Sequence, residues 1–493
     1  MPSIFKKLLN LPPGGMGRAV VGKKPDDQNA TGIAVTAAVF FDGTGNNRNN
    51  TAQRRMAEHN RAHPDDPIYT EEDVAFDPTG YNKYGKNKQG KPKDSYEAGY
   101  SNVSILERMN TQRKPADKAV SLYVEGIATQ NNLGDSTMGN AFGIFKTGVK
   151  NKVKIGVGRL AAQLVEVLKE IENTFVEKLT IDVFGFSRGA TAARHFVSLL
   201  NEDTPLAARL GIPKAEITIR FVGVFDTVSS YGATLTGFGS DVKELGLALA
   251  GVPQKVVHIA AANEHRENFS LTDITSSLQA GKGYELVLPG VHSNIGGSYG
   301  EITDEEERDL HDKECQHLVE QGWYCAEEIT RTPHHVYDQY TGQIQYTTYS
   351  AVGRRRGLTW EYQFIPLALM HGCAKNHGMM LFDLDPNGKF AKYTLPNDHP
   401  LAPVQRAIEG QVAGHGEQGR HVLGFPGDPA LPFRTAPEAP AVPVPVGWDL
   451  AKLVRNRYLH RSASRGIQGL ADGRIGMAER RKDGQPHRLV FTG

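Results

Sequence analysis

Six apolar runs punctuate the first 300 residues, beginning at Ile33, Ala119, Leu179, Ile217, Lys255 and Tyr284, and each stops at glycine or polar residues. Their length and β-branched or aromatic content predict strands. Between Val157 and Val176 the spacing changes: Val157, Leu160, Ala161, Leu164, Val165, Leu168 and Ile171 recur at three- and four-residue steps, which predicts an amphipathic helix. A second helix is expected directly after Ser187, and a buried one over FIPLALMHGCA from Phe364. Strands that alternate with helical segments imply an α/β fold, a mostly parallel sheet with helices on both faces.

The remaining segments lack such a period. Residues 1–30 are polar and rich in Pro and Gly, and predict an arm ahead of a core over 31–300. Within that core, 47–93 shift to Asn, Asp, Pro, Lys and Tyr, and predict a long insertion, a lid or surface loop. Residues 301–424 predict a mainly helical extension. There Thr303 and Glu306 have capping-box spacing, so TDEEE reads as an acidic helix start in place of a calcium trap. Residues 323–350 are polar and Tyr-rich. A Pro-rich linker comes next over 425–446, then a basic segment over 447–493, whose final part from Lys452 holds ten Lys or Arg against three Asp or Glu. That basic part reads as a solvated face, with anionic lipid headgroups as the alternative. No internal repeat is visible.

Charge adds little. A net charge of +1 with 23% charged residues in 493 carries no global field that would draw nucleic acid. The N-terminal MPSIFKKLLNLPPGGMG has no cleavage-site pattern, and no run approaches the roughly 18 apolar residues of a membrane span. The expectation is a chain made in the cytoplasm without a signal peptide. Three cysteines, Cys315, Cys325 and Cys373, are too few for a disulfide framework. His311, Cys315 and His317 lie close together, but no second cluster completes a metal site, so neither metal nor other cofactor is expected.

The chemistry centres on Gly185-Phe186-Ser187-Arg188-Gly189, a G-x-S-x-G sequence that follows a strand and opens an Ala-rich helix. A serine at the apex of such a turn is exposed for attack, and the small residues let the neighbouring backbones meet. Its acid and base should come later in chain order, each after a strand. Asp226 follows FVGVF and His292 follows LVLPGV, which places both correctly. His195, His258 and His265 compete for the base, and Asp241 and Asp273 for the acid, with weaker placement. The oxyanion donors should be the backbone N–H of Arg188 and those of the loop Gly43-Thr44-Gly45. That loop lacks the Lys-Ser/Thr ending of a nucleotide-binding P-loop.

FFDGTGNN from Phe40, YSNVSIL from Tyr100, YVEGIAT from Tyr123, FGFSRGATAAR from Phe184, FVGVFDTV from Phe221, PGVHSNIGGSY from Pro289 and RYLHRS from Arg457 together resemble a known family. It is that of the bacterial type VI secretion phospholipase effectors of the first lipase effector family. The resemblance implies an α/β-hydrolase catalytic domain with a Ser187, Asp226, His292 triad, acting on glycerophospholipids of a rival bacterium's inner membrane from the periplasm. It also implies delivery on a VgrG-type spike protein and a cognate immunity protein in the producer. Asn294 departs from the aspartate that many relatives carry after His-Ser. A soluble carboxylesterase or thioesterase on the same triad, and a secretion adaptor with a vestigial site, are the alternatives.

Overall fold

The computed structural model describes residues 30–493 other than 72–73, 136–137, 172, 203, 230–241, 265, 267–268, 311, 429–440, 463–487 and 489. Its strands are, in chain order, β1 (Thr31–Phe41), β2 (Ala119–Val124), β3 (Thr174–Phe186), β4 (Glu216–Phe225), β5 (Lys255–Ala261), β6 (Leu271–Thr272) and β7 (Gly283–Leu288). Then come β8 (Ile302–Leu310), β9 (Ile329–Tyr337), β10 (Ile344–Thr359), β11 (Gly419–Gly424), β12 (Val442–Pro443) and β13 (Val490–Phe491). Eight of them form one sheet in the order β12-β11-β7-β5-β4-β3-β1-β2, and every neighbouring pair is parallel. The six strands expected from the apolar runs are all in it.

Parallel strands are buried on both faces, and alternation along β1 shows how. Ala38 and Phe40 join Phe184, Phe221 and Phe225 on one face, beneath the helices Asn102–Met109 and Phe364–Asn376. Ala37, Val39 and Phe41 join Val183, Val222 and Val224 on the other, against the helices Met138–Glu170 and Arg188–Ser198. Chain order reverses between β1 and β3, the topological switch point where open parallel sheets bind ligands. The register aligns the strand ends there, with Phe41 opposite Gly185 and Phe186 opposite Phe225. Asp42, Ser187 and Asp226 therefore leave three adjacent strands at the same edge.

Three expectations need correction. The amphipathic helix is longer than its apolar stripe and ends at Glu170, because Thr174 already begins β3. Segment 47–93 is not a structureless loop: it opens with the helix Arg48–Ala62, capped by Asn47, whose side chain accepts the Asn50 N–H. Ala52 and Met56 join the core, and polar contacts accompany them, with Asn50 Nδ2 donating to Ser95 Oγ at 2.9 Å and to Gln130 O at 3.0 Å, and Gln53 Nε2 donating to Ala75 O at 2.6 Å. Finally, TDEEE lies in a strand. β8 and β9 flank β10 in an antiparallel sheet, so 301–424 is not mainly helical. Glu305 and Glu306 face Arg355 and Arg354 across that pairing and form ion pairs with them. Opposite charges in register favour strand over helix there.

The arm over 1–29, most of the Pro-rich linker and 463–487 of the basic segment lie outside the described residues, as do Asp241, His265 and His311. Among the described residues no helix is long and apolar enough to cross a membrane.

Candidate active site

Ser187 stands between β3 and the helix Arg188–Ser198 with φ 59° and ψ −128°, a conformation that costs a non-glycine residue and persists only where the surroundings impose it. The surroundings here are hydrogen bonds and close packing. Its N–H donates to Phe225 O at 3.1 Å, and its carbonyl accepts from Ala190 N and Val228 N. A side-chain carbon on Gly185 would lie 2.5 Å from Ala190 Cα, and one on Gly189 would lie 2.3 Å from Asp42 O. Only hydrogen fits at either position, so the two glycines let the helix turn back over the strand.

Asp226 begins the loop after β4 and is fully buried. Its Oδ2 accepts from His292 Nδ1 at 2.5 Å and its Oδ1 from Ala261 N at 2.8 Å. The guanidinium of Arg488 adds a two-pronged contact, Nη1 to Oδ1 at 2.6 Å and Nη2 to Oδ2 at 2.8 Å. Burial by itself would raise the Asp226 pKa, but the charge of Arg488 and the bond from His292 outweigh it and hold the carboxyl well below the usual carboxylate range. His292 moves down from its ordinary value because burial outweighs its bond to Asp226. The imidazole is thus neutral near pH 7, and donation from Nδ1 leaves Nε2 as its basic atom.

The His292 ring packs between Phe186, the residue before Ser187, at 4.6 Å between centroids, and Phe269, at 4.8 Å and 75° between ring planes. Its backbone is held by residues that sequence reasoning did not single out. Glu264 Oε2 accepts the His292 N–H at 3.2 Å while pairing with Arg266. Burial would raise Glu264, but Arg266 brings it down to about 2. Asn263 Oδ1 accepts the Gly290 N–H at 2.7 Å. Asn294 Oδ1 accepts from Val291 N and His460 N, tying the RYLHRS segment to the histidine loop. The signal for Asn263 and Glu264 was their place after β5, at the same sheet edge as Asp226; for Arg488 no local signal exists.

Arg188 is the first residue of its helix, so its N–H lies at the positive end of the helix dipole. The Gly43 loop is drawn against the elbow by the contact of Gly189 with Asp42, but Gly43 is corrected as a donor: its N–H is committed to Asp42 Oδ1 at 2.7 Å. Gly45 N–H donates to Ile127 O at 3.1 Å. Thr44 remains, and its hydroxyl is buried with no hydrogen-bond partner among the described residues. Asp42 itself is fixed by the Tyr123 hydroxyl at 2.6 Å, and burial raises its pKa.

The competing residues are occupied elsewhere. His258 bridges Glu285 and Thr227 N, and His195 Nδ1 lies 2.9 Å from Leu245 O. Asp273 pairs with Arg420. Among the described residues no three His, Cys, Asp or Glu side chains gather in a group able to hold a metal ion.

Over residues 74–210 and 207–321 the chain matches the family model described as the catalytic domain of the Tle1-like phospholipase effectors of type VI secretion. A solved Tle1 effector bound to the VgrG spike of that system is similar in fold, at 21% identity over 94% of each chain and a TM-score of 0.56. An uncharacterized protein from Pseudomonas aeruginosa is similar at 16% identity over 77% of this chain and 51% of its own, with a TM-score of 0.40. No curated protein matches.

Proposed function

Because the chain belongs to the Tle1-like phospholipase effectors of type VI secretion, we propose that it cleaves acyl esters of membrane glycerophospholipids with Ser187, His292 and Asp226 and no cofactor. The reading rests on the 2.5 Å contact between Asp226 and His292 and on the Phe186 ring against His292, with Ser187 held in a strained turn directly after Phe186, on the strand next to that of Asp226. His292 Nε2 takes the Ser187 proton as Oγ adds to the ester carbonyl. Asp226 keeps the ring in the tautomer with Nδ1 protonated and stabilises the imidazolium that forms. The negative oxygen is met by the Arg188 N–H and by Thr44 through its N–H and hydroxyl. Collapse of the adduct expels the lysolipid alcohol, which receives the proton from His292 and leaves an acyl-Ser187. A water deprotonated by His292 then releases the fatty acid and restores the serine.

The same reading makes the protein an antibacterial toxin that acts at the target cell's inner membrane from the periplasm, carried there on a VgrG-type spike and countered in the producer by an immunity protein. Family membership supports this, as does the fold shared with an effector bound to such a spike. The test is fatty-acid release from labelled phospholipid vesicles. Ser187→Ala should lose on the order of 10⁶ in kcat while unfolding at the same denaturant midpoint. Cleavage of short soluble esters with vesicles untouched would make the protein a soluble esterase. Equal turnover in Ser187→Ala would remove the serine mechanism. Periplasm-directed expression should be toxic and cytoplasmic expression tolerated.

A further inference from the structure

Three charged side chains act on His292, Asp226 after β4 and Glu264 and Arg266 after β5, and a fourth, Arg488 before β13, grips Asp226 from beyond it. Arg488 reaches furthest along the chain. Its guanidinium grips both oxygens of Asp226 and also touches the frame around the histidine, with Nε donating to Phe269 O at 2.7 Å and Nη1 to Ala261 O at 3.3 Å. Phe269 in turn packs nearly perpendicular to the His292 ring and carries the Arg266 guanidinium 3.5 Å above its own ring. The last residues of the chain anchor Arg488: Val490 and Phe491 pair with Leu271 and Thr272, Asp273 N–H donates to Phe491 O at 3.0 Å, and Gly493 N–H donates to Asp273 Oδ1 at 2.9 Å.

The geometry points to Arg488 as a positioning residue that sets the plane and charge of Asp226, a role that rests on the Ser187, Asp226, His292 reading. Without it the carboxylate keeps one contact per oxygen, from Ala261 N and from His292, and can rotate about its χ2 bond; a two-pronged guanidinium removes that freedom. Arg488 also has an electrostatic effect. Asp226 and Glu264 balance Arg266 and Arg488 around a neutral imidazole, so protonation of His292 leaves one net positive charge in a buried cluster. Removal of Arg488 frees the full charge of Asp226 to hold the His292 proton. One side chain therefore has two effects: it orients the acid, and it keeps the base easy to deprotonate. A guanidinium that only filled space or anchored β13 would produce neither.

The experiment uses the full chain, a soluble chromogenic ester and a pH–rate profile for wild type, Arg488→Met, Arg488→Lys and Ser187→Ala. Arg488→Met should lower kcat at least tenfold at its own pH optimum with KM within twofold of wild type. Its acid limb should move upward by about one pH unit or more, the scale of losing a charge that adjoins the dyad. Arg488→Lys, which keeps the charge but not the fork, should return the limb to the wild-type position and leave kcat several-fold low. If Arg488→Met shows no cooperative unfolding transition, Arg488→Lys decides by its kcat, and a wild-type value there overturns the proposal. A wild-type kcat and acid limb in folded Arg488→Met overturn it as well. When this happens while Ser187→Ala is inactive, the triad reading stands and only the role of Arg488 falls; turnover in Ser187→Ala instead removes the triad itself.

Discussion

Gly189 and Asp42 meet backbone to backbone: a side-chain carbon on Gly189 would stand 2.3 Å from the Asp42 carbonyl oxygen and 2.4 Å from that of Phe41. Neither partner is a flexible side chain, so Gly189→Ala must push the helix Arg188–Ser198 off the end of β1. We expect a loss of about 1–3 kcal/mol, as for other overpacked positions, seen as a lower denaturant midpoint. Activity should fall further than stability, since Arg188 and Thr44 move apart. Wild-type kcat in this variant would mean that the two donors do not act together.

Asp226→Asn should fold and lose roughly 10⁴ in kcat, because the amide favours the wrong tautomer of His292. Asp273 is the control. Its carboxylate pairs with Arg420, and asparagine keeps the Oδ1 that accepts the Gly493 N–H and so the anchor of the segment after Arg488, so Asp273→Asn should leave kcat within a few-fold of wild type. The reverse ranking of the two would relocate the acid.

Thr44→Val keeps the shape and backbone N–H of Thr44 but removes a hydroxyl that has no partner among the described residues. A kcat loss of about 10²–10³ is expected, the usual effect of removing one oxyanion donor, with KM little changed. Stability should not fall, because no existing bond is broken. Undiminished kcat would restrict the role of Thr44 to its N–H.

In the proposed mechanism the pH dependence is set by His292. Activity requires the neutral ring, so it is lost as pH falls through the His292 pKa; burial lowers that value below the ordinary 6.5, and the loss is displaced to lower pH. The acid limb of kcat/KM on a soluble ester should therefore have its midpoint below pH 6.5. A midpoint above that value would mean that Asp226 outweighs burial.

Local physics made the strands and the strand–turn–helix at Ser187 legible, and it singled out the Asp226 and His292 that the fold brings into contact. A buried parallel strand must be apolar throughout, and a nucleophile turn must carry small residues, so both leave contiguous traces. The helix at Arg48 left a faint trace, since its buried apolar face is only Ala52, Met56 and Ala57 and the amides of Asn50 and Gln53 are buried beside them. TDEEE resembled a helix start because its partners, Arg354 and Arg355, lie some fifty positions away. The basic composition after Lys452 suggested a solvated face, yet Arg488 and Arg461 are buried against acids, Asp226 and Glu307. Charge composition does not reveal which cations have a buried partner waiting.

The grip of Arg488 on Asp226 spans 262 residues of sequence, and a ribosome makes those residues in one direction. Ser187, Asp226 and His292 are all outside the exit tunnel while the codon for Arg488 is still untranslated. At that stage Asp226 has no guanidinium to offset its burial, so closing this corner of the sheet is opposed by the cost of burying the carboxylate. The order of synthesis thus delays completion of the carboxylate's contacts until residue 488 has been made.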